Sequence, residues 1–217
     1  MRRVVTLLLL SLLFHSAAGA ATRREVQRLP DPKYKGTITL EESLAHRRSE
    51  RSFKDANLTN EQIAQLLWAA QGITERTWGF RTAPSAGSTY PLELYLVKRD
   101  GVYHYLPLTH SLEQIKDIDC RPSLTRASLG QNFIGEAPIV IVIAADFERT
   151  EMKYGARAQR YVHLEAGHAA ENVLLQAVAL GLAAVPVGSF WDDVVKAVLD
   201  LPYVHDPLYL IPVGYVK

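Results

Sequence analysis

Apolar and polar positions change period several times along the chain, and each change marks an element. Ile63, Leu66, Leu67 and Ala70 recur at intervals of three or four, which is one apolar face of a helix. Thr59-Asn60-Glu61-Gln62 fits the reciprocal cap that opens such a helix, and Gly72 stops it. Thr39-Leu40-Glu41-Glu42 fits a second cap, opening a shorter helix through about Arg48. Residues 73–91 carry Gly79, Pro84, Gly87 and Pro91 and predict a loop. Leu92 to Val97 reads as a strand, Asp100-Gly101 as a hairpin turn, and Val102 to Leu106 as the return. Pro138 to Ala145 is unbroken apolar sequence, which predicts a buried strand.

Residues 157–180 predict one long helix ended by Gly181. Leu164, Ala166, Ala169, Ala170, Val173, Leu174, Ala177, Val178 and Leu180 cover most of its circumference, the pattern of a helix buried nearly all round. In a domain of this size a dimer interface is an economical way to bury it. Ala183 to Val187 reads as a short strand, Asp192 as the cap of a helix to about Leu201, and Leu208 to Tyr215 as the last strand. The expected class is α+β, with helices packed on a mostly antiparallel sheet.

Composition sets limits on this picture. With 217 residues, 48% hydrophobic and 22% charged, the chain suits one globular domain, expected over residues 39–217 after a polar lead-in at 21–38. Arg2 and Arg3 followed by apolar Val4–Leu13 and by Ala18-Gly19-Ala20 have the form of a cleavable signal peptide over residues 1–20. Export to the periplasm or the cell exterior, with no stable membrane span after cleavage, is the expectation. Net charge is +1, and loss of the two arginines brings the mature chain close to −1, so no broad basic field is available for nucleic acid. Cys120 is the sole cysteine, which excludes an intramolecular disulfide.

Three segments could carry chemistry. Arg47-Arg48-Ser49-Glu50-Arg51-Ser52-Phe53 brings three arginines and two hydroxyls to the end of a short helix, a set suited to phosphate oxygens. A solvated basic turn has the same composition. Ala83-Pro84-Ser85-Ala86-Gly87-Ser88-Thr89-Tyr90-Pro91 is rich in small residues that let a flat ligand approach the backbone. It nearly matches G-x-S-x-G, but a loop precedes the serine and a strand follows, the reverse of a nucleophile elbow. Val185-Pro186-Val187-Gly188-Ser189-Phe190 is a strand end running into a helix start, where backbone N–H groups are free to donate. His163 and His168 stand about 140° apart around a helix and cannot share a metal, and no zinc-ligand spacing occurs. No G-x-G-x-x-G follows a strand, which leaves a dinucleotide fold unsupported.

Taken together and in this order, the segments resemble the nitroreductase-like FMN flavoproteins. The likeness runs from about residue 39 to 216. It rests on Arg47, Ser49, Arg51 and Phe53, on PSAG…YP, on Gly167, His168 and Asn172, on the P-x-G-x-F turn and on Pro212-Val213-Gly214-Tyr215. APSAGSTYPLELYLV, DFERTEMKYGARAQRY and LEAGHAAENVLLQAVALGL are most similar to the SagB-type azoline dehydrogenases, which oxidise thiazolines and oxazolines in ribosomal peptides. The resemblance implies a homodimer with FMN at its interface. It implies Arg47 and Ser49 at the FMN phosphate, completed by Lys217 or Arg48, and Arg51 beside flavin N1 and O2. It places Gln131 near the pyrimidine ring and the Gly188 N–H near N5, with Ser189 next to it and Pro186 and Val187 completing the cofactor-binding corner. Pro84, Ser85, Ala86 and Gly87 correspond to a strip lent by the partner chain. Lys153-Tyr154 matches a Lys-Tyr pair implicated as catalytic in that branch, where a base must take the proton that accompanies hydride loss. The implied activity is FMN-dependent dehydrogenation of a small or peptidic substrate. An NAD(P)H-dependent nitro or quinone reductase, or a non-catalytic flavin-binding accessory protein, are the alternatives.

Overall fold

Both helix caps form as their spacing requires. In the computed structural model, which describes residues 25–217, the Thr39 hydroxyl accepts the Glu42 N–H at 3.1 Å and the Glu42 carboxylate accepts the Thr39 N–H at 2.7 Å. Thr59 and Gln62 make the same exchange at 3.2 and 3.0 Å. In chain order the elements are β1 (Val26–Arg28), α1 (Leu40–His46), α2 (Asn60–Gln71), β2 (Ile73–Glu75), β3 (Phe80–Arg81), β4 (Leu92–Lys98), β5 (Gly101–Leu106), β6 (Ser111–Lys116), α3 (Arg121–Ala127), α4 (Phe133–Glu136), β7 (Ile139–Asp146), α5 (Glu148–Tyr154), α6 (Ala158–Ala179), β8 (Ala183–Ala184), α7 (Asp192–Leu199) and β9 (His205–Gly214). The expected signal segment, residues 1–20, lies outside the described residues. Among those described, no helix is long and apolar enough to cross a membrane.

Seven strands make one sheet in the order β1-β6-β5-β4-β7-β9-β8, every pairing antiparallel. Strand β7 is sandwiched between β4 and β9 and buried on both faces, which explains its unbroken apolar run. Its Ile139, Ile141 and Ile143 join one core with the apolar faces of α2 and α6; Val140, Val142 and Ala144 join a second core with α3 and α7. This is the period of two that a strand imposes. Pro207 lies where the β7–β9 register shifts, a position at which a missing N–H is tolerated.

Several expectations need correction. The 73–91 loop contains the β2–β3 hairpin and a single turn at Ala86–Ser88. Only Ala183–Ala184 forms the short strand, with Val187 making an isolated bridge to Leu210. Trp191, not Asp192, is the N-cap of α7, with Asp192 and Asp193 in its first turn, where carboxylates favour the positive end of the helix. Helix α6 buries one face in the single chain and leaves Leu164 and His168 exposed. The alanines of that arc are all buried, while Leu164, Val178 and Leu180 lie outside the fully buried stripe of the single chain.

Candidate functional site

The arginine-rich turn and the Val185–Ser189 corner are neighbours because the chain after α1 runs beside β8. Ser49 bridges Ala184 in parallel, and the Glu50 N–H donates to the Ala184 carbonyl at 3.3 Å. Phe53 bridges Val216, and the Lys217 N–H donates to the Ser52 carbonyl at 3.3 Å, which brings Lys217 to the same turn. Val187 and Leu210 exchange both backbone hydrogen bonds, at 2.8 and 2.9 Å. That clamp fixes where exposed Gly188 and Ser189 leave the sheet. A Cβ on Gly188 would meet only Tyr209, at 3.9 Å, so the backbone there has an open face. Gln131 reaches the corner from the α3–α4 connection, its amide donating to the Ser189 carbonyl at 3.0 Å. The Arg51 guanidinium stands 5.7 Å from the Phe133 ring centre, two residues from Gln131.

The three arginines differ in what they are free to do. Half-buried Arg47 makes one long ion pair, 3.6 Å to Glu171. Arg48 turns back instead, donating to the Ala45 and Arg47 carbonyls at 3.1 and 2.7 Å. It satisfies the exposed end of α1, which makes it a poor candidate to complete a phosphate site. Arg51 makes a single long contact to the Ser49 carbonyl, at 3.4 Å.

A second cluster joins Pro84, Ser85, Ala86 and Gly87 to Lys153 and Tyr154. Lys153 Nζ donates to the Gly87 carbonyl at 3.1 Å, and Thr89 and buried Thr150 share a 2.9 Å hydroxyl bond that pins α5 to the strip. Gly87 has φ +57°, and a Cβ there would collide with the Tyr154 hydroxyl and the Lys153 ammonium. Gly87→Ala is therefore expected to lower the melting temperature by a few degrees, from left-handed strain of about 1–2 kcal/mol, and to displace both side chains. Calorimetry checks the first effect, and a change in the near-ultraviolet circular dichroism of the Tyr154–Tyr161 pair checks the second.

One chain does not bring the two clusters together. Tyr154 packs edge-on to Tyr161 at 5.1 Å near the start of α6, whereas Arg47 pairs with Glu171. Ten helical residues between them correspond to roughly 15 Å.

Two charged groups in this region were not singled out from the sequence. Glu165 sits on the packed face of α6, 3% exposed, and burial pushes its carboxyl up to about 7 against smaller opposing effects of Ser85 and Arg81. The available signal was a carboxylate inside the apolar stripe Val162, Ala166, Ala169. The neutral form is favoured on folding, so the wild type loses stability as pH rises from about 4.5 through about 7. Urea titration at pH 5.5 and 8 should show Glu165→Gln gaining roughly 2 kcal/mol on the wild type over that interval. Equal shifts at the two pH values would count against it. Glu93 is the other group, pairing with His104 at 2.6 Å and with Arg149, while Arg149 also donates to the Tyr90 carbonyl at 3.2 Å.

The fold and site define a class: an antiparallel α+β scaffold with a cationic turn set beside an open backbone corner. A model of the nitroreductase family matches residues 44–215, and the chain belongs to that family, whose members generally bind FMN. A Methanocaldococcus jannaschii protein named as a nitroreductase, MJ1384, is 46% identical over 88% of this chain and 96% of its own length. The Escherichia coli microcin B17-processing protein McbC is 29% identical over 69% of this chain and 60% of its own. A crystal structure of a protein described as a nitroreductase from Ralstonia eutropha superposes with a TM-score of 0.81 at 30% identity, covering 88% of this chain and 90% of that one.

Proposed function

We propose that the protein is an exported, FMN-dependent homodimeric oxidoreductase that dehydrogenates a small or peptidic substrate, azoline rings in ribosomal peptides being the preferred class. The observation that carries the reading is the seating of the Arg47–Arg51 turn beside the Val185–Ser189 corner through the Ser49–Ala184 bridge. The donor chemistry fits a flavin mononucleotide. Arg47, Ser49 and Lys217 would hold its phosphate, Arg51 and Gln131 its pyrimidine edge, and Pro186–Ser189 the region of N5. Bound FMN would supply the hydride acceptor and pass two electrons on to oxygen or a quinone-type acceptor.

The chain's own residues supply the rest. Arg51 presents a fixed positive charge where negative charge develops during reduction. As a ring C–H of the substrate leaves as hydride, the proton on the adjacent carbon or nitrogen passes to Lys153 or Tyr154, which the Gly87 carbonyl and Tyr161 hold in place. Because the two clusters lie at opposite parts of α6, a complete site takes Pro84–Gly87, Lys153 and Tyr154 from a second copy. The similarity to McbC supports the peptide reading. The basic and apolar pattern of residues 2–13 supports export, and NAD(P)H is not expected outside the cytoplasm.

Purification of the mature chain tests this. A yellow dimer with about one FMN per chain is expected. Lys153→Ala should stay yellow but lose about 10²–10⁴-fold in azoline oxidation. A colourless monomer sinks the proposal. The name of the 46%-identical relative favours a second reading, nitro reduction, for which bleaching by NADPH is the discriminating measurement.

A further inference from the structure

Residues 85–90 have an unusual backbone. Gly87, Ser88 and Tyr90 all adopt positive φ, at 57°, 56° and 46°. Two of these are not glycine, and such conformations persist only where surrounding contacts over-determine them. The contacts here are specific. The Ser85 hydroxyl oxygen accepts the Tyr90 N–H at 2.9 Å, leaving its proton for the Glu165 carboxyl that it also touches. The Tyr90 ring lies 4.7 Å beneath the Arg81 guanidinium, and Arg81 donates to buried Gln71 at 2.7 Å. Among the described residues, Glu165 Oε1, Arg81 Nε and Gln71 Nε2 are buried polar atoms with no hydrogen-bond partner. Buried groups left in that state call for an explanation, and function is a common one.

We infer that Glu165 is a positioning residue, its ionised carboxylate fixing Ser85 and through it the Pro84–Gly87 strip and the Lys153 anchor at the Gly87 carbonyl, so that flavin binding strengthens as Glu165 loses its proton. The inference rests on the proposed function, in which that strip closes the flavin site. The groups facing Glu165 are Arg81 from β3 and neutral Ser85 from the strip; Glu93, Arg149 and Tyr90 act in turn on Arg81. Burial raises the Glu165 carboxyl to about 7, which places the switch near neutrality. A protonated carboxyl is a weaker acceptor of the Ser85 proton than a carboxylate, so the hydroxyl that receives the Tyr90 N–H is held less firmly, and the strained turn with it. Glutamine at 165 keeps the size and neutrality of that protonated form at every pH.

The test is fluorescence-quench titration of FMN against full mature wild type, Glu165→Gln and Ser85→Ala between pH 5.5 and 8.5. Ionisation of the FMN phosphate is common to all three proteins and cancels in the ratio of dissociation constants. The Glu165→Gln to wild-type ratio should lie near one at pH 5.5 and rise to about tenfold above pH 7.5. Ser85→Ala should show the same rise, and the double variant should be no weaker than either single one. A ratio that stays flat with pH, or additive single variants, overturns the inference while leaving flavin binding intact. If Glu165→Gln does not fold, Ser85→Ala alone decides by the same criterion. A wild type that binds no FMN at any pH overturns the proposed function and this inference with it.

Discussion

Alanine at both Arg47 and Ser49 is expected to leave the purified protein colourless, with FMN affinity lowered about 10²–10⁴-fold. Hydrogen bonds to a charged phosphate contribute about 1.5–3 kcal/mol each, and neither side chain has a short partner among the described residues. The only ion pair of Arg47 among the described residues is the 3.6 Å contact to Glu171, both partners being a third or more exposed, so its loss hardly affects the fold. Apo protein should therefore melt within about 2 °C of the wild type. Arg48→Ala is the informative control. Its guanidinium serves the α1 carbonyls, so FMN affinity should change less than threefold. Flavin content after purification and fluorescence titration measure both. A double variant as yellow as the wild type would remove the phosphate assignment.

Glu93→Ala should be strongly destabilising at the strip's end of the sheet, by about 3 kcal/mol, because the His104 and Arg149 hydrogen bonds made by this largely buried carboxylate are lost, while Arg149, a third exposed, keeps Asp146 as a partner. In a domain of this size that lowers the melting temperature by roughly 10 °C. Desolvation is the largest single influence on the Glu93 carboxyl and would raise it. Hydrogen bonding to His104 and the charge of Arg149, with smaller contributions from the same two partners, together hold it at about 2. A depressed carboxylate contributes stability that is present above about 4.5 and lost as pH falls toward about 2. Wild-type stability should therefore fall by about 3 kcal/mol across that acid window beyond what Glu93→Gln shows. Parallel acid-denaturation curves for the two proteins would refute the assignment. Since Arg149 also holds the Tyr90 carbonyl, Glu93→Ala should in addition loosen the 85–90 turn, read as faster proteolysis there.

Local rules carried much of the fold. The Thr39 and Thr59 caps, the hairpin at Asp100-Gly101, the two-sided burial of β7 and the length of α6 all follow from spacings within a few residues, where side chain and backbone meet whatever the rest of the chain does. The β6 strand, the short helices α3 to α5 and the edge strand β1 were not legible, because each has a weak pattern and forms only against a neighbour supplied from elsewhere. Strand β1, inside what read as a polar lead-in, owes its existence to pairing with β6.

The site divides along the same line. Sequence by itself determined which residue types were present and that they lay in segments resembling one family: the Arg47–Arg51 turn, the Pro84–Gly87 strip, Lys153-Tyr154 and the Pro186–Ser189 corner. Tertiary structure alone decided that the first and last of these are joined through Ser49 and Ala184, that Arg48 is spent on a helix end, and that Lys153 belongs with Gly87. It alone decided that Glu165 lies buried behind Ser85. The reason is physical. Periodicity and capping are settled by contacts between near neighbours in the chain. The state of a carboxylate or the freedom of a guanidinium is settled by burial and by partners up to a hundred residues or more away, which no local pattern encodes.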